Sequence, residues 1–448
     1  MSRSEYLMAG VSGIRGIVGP GMNPEIAVRY AAAFASDVRG GSSVVVGRDT
    51  RPSGPALASA VFSALQFRNC EAVDLGIAST PTVEIMVEEL GAAGGIIITA
   101  SHNGIEWNAL KFLDARGEFL SAADMDDLTE RARGEAVFPR GLPVGVLTTN
   151  DTGDAVHVRR ILELERIDRE LIASRRFRAV VDCVNGAGSR IMPALLRGLG
   201  VSVVELFTDV RAPFPHEPEP RPANLGELSR TVAREKADIG FACDPDADRL
   251  VLVDGSGIVL SEELTLAVAA DFILSKEKGP LVANLSSSRV VDDLGAKHGV
   301  PVRRSKVGEA NVVELMKETR AAIGGEGNGG VIYPRLHYGR DAMLGAALAL
   351  QALAEEGVSL AEKVASFPRY FIVKEKFAFN GDFGRVEEAA QKRFAGDVCA
   401  ADGMRIDMPE GWVHLRRSNT EPVVRVIAEA RSVEDAERIA KEAGSLLL

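Results

Sequence analysis

One arrangement recurs three times along this chain and constrains the fold more than any single motif: two apolar strands, then a third that runs into a polar loop. In the first copy, Ser43-Val44-Val45-Val46-Gly47 and Ala72-Val73-Asp74-Leu75-Gly76 precede Gly94-Gly95-Ile96-Ile97-Ile98. In the second, segments 179–183 and 203–206 precede 238–244, and in the third, 281–284 and 300–303 precede 322–326. Helix-opening signals such as Pro52-Ser53-Gly54 and Thr80-Pro81 separate the strands. After about Phe367 the pattern changes. Segments 371–379, 412–415 and 423–427 read as strands and 386–394 as a helix, and Ser432-Val433-Glu434-Asp435 has capping-box spacing before a final helix. The expectation is an α/β protein, with three topologically similar mixed-sheet α/β domains and a small C-terminal α+β domain around a central cleft. The domain limits expected are 1–150, 151–254, 255–367 and 368–448, in keeping with 448 residues at roughly 150 per domain.

Each third strand empties into a different chemistry: Thr99-Ala100-Ser101-His102-Asn103, Asp244-Pro245-Asp246-Ala247-Asp248-Arg249, and Glu326-Gly327-Asn328-Gly329-Gly330. Equivalent loops of equivalent domains can converge on one cleft. Ser101 follows an unbroken Ile run, the mark of a strand buried on both faces, and strand carboxyl ends are where open α/β sheets bind ligands. A hydroxyl there, followed by His102, suits phosphoryl chemistry; the same stretch also fits a strand-to-helix turn capped by Ser101. Asp244, Asp246 and Asp248 lie two apart, so an extended loop would point them the same way. Three carboxylates about 4 Å apart repel by roughly 4 kcal/mol per pair at an effective dielectric of 20, a cost that a divalent cation removes, and oxygen ligands suit Mg²⁺.

Other candidate groups are cationic. Arg15 is the one charge in the glycine-punctuated turn 13–19, Lys111 follows the Ser101 loop, and Arg249 adjoins the acidic run. Arg416-Arg417-Ser418-Asn419-Thr420, with Arg425 nearby, concentrates cationic forks, hydroxyls and turn amides into an anion nest. These clusters matter because the net charge is −11 and the pI near 5.3, so any phosphate site has to be built locally and nucleic acid is not an expected partner. No apolar run of about 18 residues is present, so no membrane partner is expected. Four scattered cysteines without a CxxC pair suit reduced thiols in a cytoplasmic protein.

Together, the four loops, in this order and over essentially the whole chain, resemble the motifs of the α-D-phosphohexomutase family. The resemblance implies that Ser101 is a phosphoserine and that Asp244, Asp246 and Asp248 hold Mg²⁺ beside it. Glu326 and Asn328 would then contact sugar hydroxyls, while Arg416, Ser418, Asn419 and Thr420 hold the non-reacting phosphate. Arg15, Lys111 and Arg249 match positions lining the reaction centre. Some members end the sugar loop in Ser-Gly-His where this chain has Asn328-Gly329-Gly330, and some have a Gly-His pair where Lys306-Val307-Gly308-Glu309 stands. Acid/base roles assigned to those histidines do not transfer. The loop spelling is most similar to the archaeal-type phosphoglucosamine mutase branch. The implied partners are sugar monophosphates and a sugar 1,6-bisphosphate, with glucosamine 6-phosphate the expected main substrate and mannose and glucose phosphates the alternatives. A monomer or a homodimer suits such an enzyme equally.

Overall fold

The third strand of each copy is inner to its sheet, flanked on one side by the first strand and on the other by a fourth. The computed structural model describes residues 6–10, 13–141, 143–417 and 423–447. In the first unit Ser43–Arg48 pairs in parallel with Glu71–Ile77 and Gly95–Ile98, and Trp107–Leu113 pairs antiparallel with Gly95–Ile98. Arg178–Asp182, Ser202–Leu206, Ile239–Cys243 and Leu250–Asp254 repeat that order in the second unit. Leu281–Asn284, Val302–Ser305, Ile323–Glu326 and Gly330–Ile332 repeat it in the third. All three expected copies therefore share one mixed-sheet topology.

The fourth strand gives the three loops a common origin. Each connects an inner strand to an antiparallel neighbour, so it is a strand-to-strand connection rather than the strand-to-helix turn considered for Ser101. Segment 13–19 also departs from expectation. Gly13–Ile17 is a strand, pairing with both Leu7–Gly10 and Trp107–Leu113. Its glycines serve close approach: a Cβ on Gly13 would sit 2.9 Å from the Lys111 Cα. At the other edge Leu147–Thr149 joins the first sheet beside Glu71–Ile77, just before the expected limit of the first domain.

Helices cover these sheets, and two of them are buried almost all round. Ala342–Glu356 and Glu263–Lys276 are built largely from Ala, Leu, Val, Met and Phe and present no polar stripe, as befits helices inside the molecule. Their residues belong to a single hydrophobic core that runs through the second and third units. The first unit has its own core clusters. The C-terminal unit is a separate antiparallel sheet of Phe371–Ala378, Val423–Ala430, Gly411–Arg417, Met404–Asp407 and Asp397–Cys399, sharing its core with the helices Phe383–Arg393 and Val433–Ser445. Ser432 caps the last helix by accepting from the Asp435 amide. Among the described residues no helix is long and apolar enough to cross a membrane.

Candidate active site

Ser101 lies just beyond Gly95–Ile98 in the left-handed region, with φ of 48°. For a residue with a Cβ this costs about 1–2 kcal/mol, so the surroundings have to hold it there. Arg51 does so. Fully buried, it donates from Nη2 to the carbonyls of Ser101 (2.6 Å) and Asn103 (2.7 Å), from Nη1 to those of Gly104 and Trp107, and from Nε to Asp49 (2.9 Å). Thr99 completes the brace by donating to Asp49 and accepting from the Ser101 amide. The Ser101 hydroxyl, 5% exposed, points out of this brace and donates to Asp244 Oδ2 at 2.6 Å. The His102 Nδ1 lies 3.3 Å from it.

The acidic loop follows Ile239–Cys243, but it is a turn rather than an extended segment: Ala247 has φ of 52°. The turn still converges the three carboxylates, which bring one oxygen each within 4.8 Å of one another. Asp246 Oδ2 accepts from Lys111 Nζ and Thr80 Oγ1, both at 2.7 Å, and Asp248 Oδ2 accepts from Arg340 Nη2 at 2.6 Å. Their other oxygens, Asp246 Oδ1 and Asp248 Oδ1, are buried with no hydrogen-bond partner. A buried acceptor left unsatisfied costs about 1–3 kcal/mol, more when charged. Two such oxygens, in the same turn as the Asp244 carboxylate that accepts from Ser101, offer lone pairs to a hard cation, and the set fits a divalent ion with oxygen ligands. Burial, then the charges of Asp246 and Asp248, push the Asp244 carboxyl well above its usual range. Burial acts on Asp246 too, but Lys111 outweighs it and holds that carboxyl low.

Cations rim this pair of loops. Lys111 comes from the fourth strand of the first sheet, and although burial opposes its charge, Asp246 and Asp248 raise its pKa. Arg15 donates to the Asn103 side chain at 3.0 Å. Arg249 places Nε 3.7 Å from Asp248 Oδ1. Burial, followed by the nearby Arg249 and Arg15, holds His102 well below the ordinary imidazole range, so its ring is neutral at physiological pH.

Glu326 closes the third unit's inner strand and is itself enclosed. Its Oε1 accepts from Asn284 Nδ2 (2.7 Å) and the Gly308 amide (2.9 Å); its Oε2 accepts from Arg340 Nη1 (2.9 Å) and Asn328 Nδ2 (3.3 Å). Burial would raise its pKa, but Arg340 and these donors outweigh it. Sequence reading missed Arg340, as it missed Arg51, Thr80 and Glu309. Arg340 touches Asp248, Glu309 and Glu326 at once, so it joins the acidic loop to the sugar loop. The only sequence signal is an arginine just ahead of an apolar helix.

In the C-terminal unit Arg416 and Arg425 face each other across paired strands. Like charges placed opposite are unfavourable unless an anion lies between them. Arg416 Nε also donates to both oxygens of Asp402, and Asp402 accepts from the Val307 amide at 2.9 Å, next to Gly308. Ser418, Asn419 and Thr420 lie outside the described residues. The site thus has two parts: Ser101, His102, Arg15, Lys111, Arg249 and the three aspartates form one cluster that Arg340 links to Glu326 and Asn328. Arg416 stands apart from it, and among the described residues Asp402 and the 307–308 backbone lead from Arg416 to Glu326.

Family comparisons agree with this layout unit by unit. Residues 7–136, 155–257 and 262–370 match the phosphoglucomutase/phosphomannomutase alpha/beta/alpha domains I, II and III, and residues 369–444 match the family's C-terminal domain. The chain belongs to the phosphoglucomutase/phosphomannomutase family. It is 37% identical over 440 residues to a probable phosphoglucosamine mutase of Methanopyrus kandleri, covering 97% of this chain and 96% of the relative. To a phosphoglucomutase/phosphomannomutase of Thermococcus kodakarensis it is 36% identical over 441 residues, 95% of either chain. The crystal structure of a phosphoglucomutase/phosphomannomutase family protein from Burkholderia thailandensis superimposes with a TM-score of 0.85 at 28% identity, covering 100% of this chain and 97% of that one. These relatives bear out the resemblance, including its archaeal-type phosphoglucosamine mutase branch. The enzyme is a hexose phosphate mutase, an isomerase.

Proposed function

We propose that this mutase interconverts glucosamine 6-phosphate and glucosamine 1-phosphate, using a phosphate carried on Ser101 and passing through a bound 1,6-bisphosphate. What carries the reading is the 2.6 Å hydrogen bond from the Ser101 hydroxyl to Asp244, beside two buried carboxylate oxygens that lack partners. Asp244, Asp246 and Asp248 would hold Mg²⁺ there. When bound, that ion supplies positive charge against the developing charge of phosphoryl transfer.

The chain's own groups do the rest. The bond from Ser101 Oγ to phosphorus breaks as a bond from a sugar hydroxyl to the same phosphorus forms. The hydroxyl proton ends on Ser101, and neutral His102, 3.3 Å from Oγ, is placed to carry it. Lys111 and Arg249 sit where the transferring phosphoryl oxygens would gather charge. Arg416 and Arg425, with Ser418, Asn419 and Thr420, hold the phosphate that does not react. The bisphosphate then turns over and returns its other phosphate to Ser101.

The sugar assignment rests on the relatives named phosphoglucosamine mutase and on a loop that tolerates an amine without demanding one. Mannose and glucose phosphates are slower substrates in this reading. Turnover of glucosamine, mannose and glucose 1-phosphates, compared side by side, should favour glucosamine and release no free phosphate. A kcat/KM for mannose or glucose 1-phosphate about tenfold above that for glucosamine 1-phosphate would overturn the sugar assignment and leave the mutase.

A further inference from the structure

We propose that Arg340 is the positioning residue that decides how the sugar loop reads its ligand: by engaging Glu326 it makes the loop a reader of hydroxyls rather than a trap for an ammonium group, and so keeps amino and neutral sugar phosphates close in rate. The inference rests on the mutase reading above and concerns only its selectivity.

A carboxylate offers about four acceptor sites, and Glu326 uses all four within the protein, for Asn284, the Gly308 amide, Asn328 and Arg340. An incoming ammonium therefore meets a carboxylate already matched in charge and already saturated. The weakest of the four bonds is the 3.3 Å one from Asn328, whose side chain is half-buried while Glu326 is 3% exposed. The Asn328 Oδ1 accepts a similarly long bond, 3.2 Å, from the Gly330 amide, so Asn328 is the group most easily turned toward a ligand, and an amide both donates to and accepts from hydroxyls.

Arg340 is held firmly in that role. It is 7% exposed and spends three separate donors on three carboxylates: Nε on Glu309 (2.9 Å), Nη1 on Glu326 (2.9 Å) and Nη2 on Asp248 (2.6 Å). The planar fork makes these contacts in fixed directions, which a lysine cannot reproduce although it supplies the same charge. Gly330 makes room for it. A Cβ at Gly330 would overlap the Arg340 stem, with Cγ only 2.8 Å away, and Gly330 is not among the glycines with positive φ. Its demand for glycine is spatial. The Asn328-Gly329-Gly330 spelling and Arg340 are therefore one device: the loop ends bare so that an arginine from further along the chain can lie across it.

The test is the ratio of kcat/KM for glucosamine 1-phosphate to that for glucose 1-phosphate in wild type, R340Q, R340K and G330A. The wild-type ratio should lie within about tenfold of unity. R340Q lowers both rates through Asp248, but leaves Glu326 uncompensated, so the ratio should rise toward the amino sugar by about tenfold. R340K, which keeps the charge, should return the ratio to within about threefold of wild type while kcat stays low. G330A pushes the same side chain aside without removing it and should shift the ratio in the R340Q direction. If R340Q does not fold, G330A decides. Equal losses on both substrates with an unchanged ratio would make Arg340 a structural brace and overturn the inference. A wild-type enzyme inactive on both substrates would instead overturn the sugar assignment of the proposed function on which the inference rests.

Discussion

Asp246 shows how a single side chain is divided between duties. One oxygen is taken by Lys111 and Thr80, and the other is buried without a partner. Replacing Asp246 by Asn removes a ligand charge but keeps the volume, so the fold should survive. Calorimetric titration should then show Mg²⁺ binding lost, and turnover should fall by about a hundredfold or more. Unchanged Mg²⁺ binding in D246N would mean that the acidic loop holds no ion. At this scale the sequence was informative where chemistry is local. Ser101 and the three aspartates stand out because a hydroxyl and a carboxylate run each follow an apolar strand. Arg51 and Arg340 do not, since each earns its place through partners far along the chain: Arg51 braces residues 101–107, and Arg340 reaches Asp248, 92 positions away.

Among the elements, the inner strands were legible, as was the apolar run of Leu250–Asp254, whereas the fourth strands of the first and third units were not. Trp107–Leu113 carries the buried Asn108 and Lys111, and Gly330–Ile332 is only three residues long, so neither has a run or an alternation to recognise. For the Ser101 loop this left a turn into a helix open as an alternative, which the antiparallel pairing of Gly95–Ile98 with Trp107–Leu113 excludes. The C-terminal sheet meets the rest through polar contacts that include Ser286 to His414 (2.9 Å), the Arg289 amide to Glu429 (2.9 Å) and Lys374 to Glu262 (2.8 Å). Its core is separate. A chain ending after Tyr370 should therefore melt cooperatively by circular dichroism yet convert no substrate. Full turnover by that fragment would remove the C-terminal arginines from the site.

Across the whole molecule, a buried polar chain ties the first unit to the third. Thr82 meets His157 (3.0 Å), His157 meets Asp341 (2.8 Å), Asp341 meets His337 (3.2 Å), and His337 meets Glu84 (3.2 Å). Burial raises Glu84 to about 8, and hydrogen bonds to Asp341 and Glu84 lift His337 to about 9 against its own burial. Both groups bind their proton more tightly folded than unfolded. Their contribution is therefore complete at low pH and is lost as pH rises through these values. The urea midpoint should fall between pH 7 and about 9, and H337Q should flatten that dependence. Turnover by this route depends on phosphate residing on one hydroxyl. Intact mass after incubation with glucose 1,6-bisphosphate tests this directly: wild type should gain one phosphoryl group and Ser101→Ala none, with turnover lower by several orders of magnitude. A phosphorylated, fully active Ser101→Ala enzyme would contradict it.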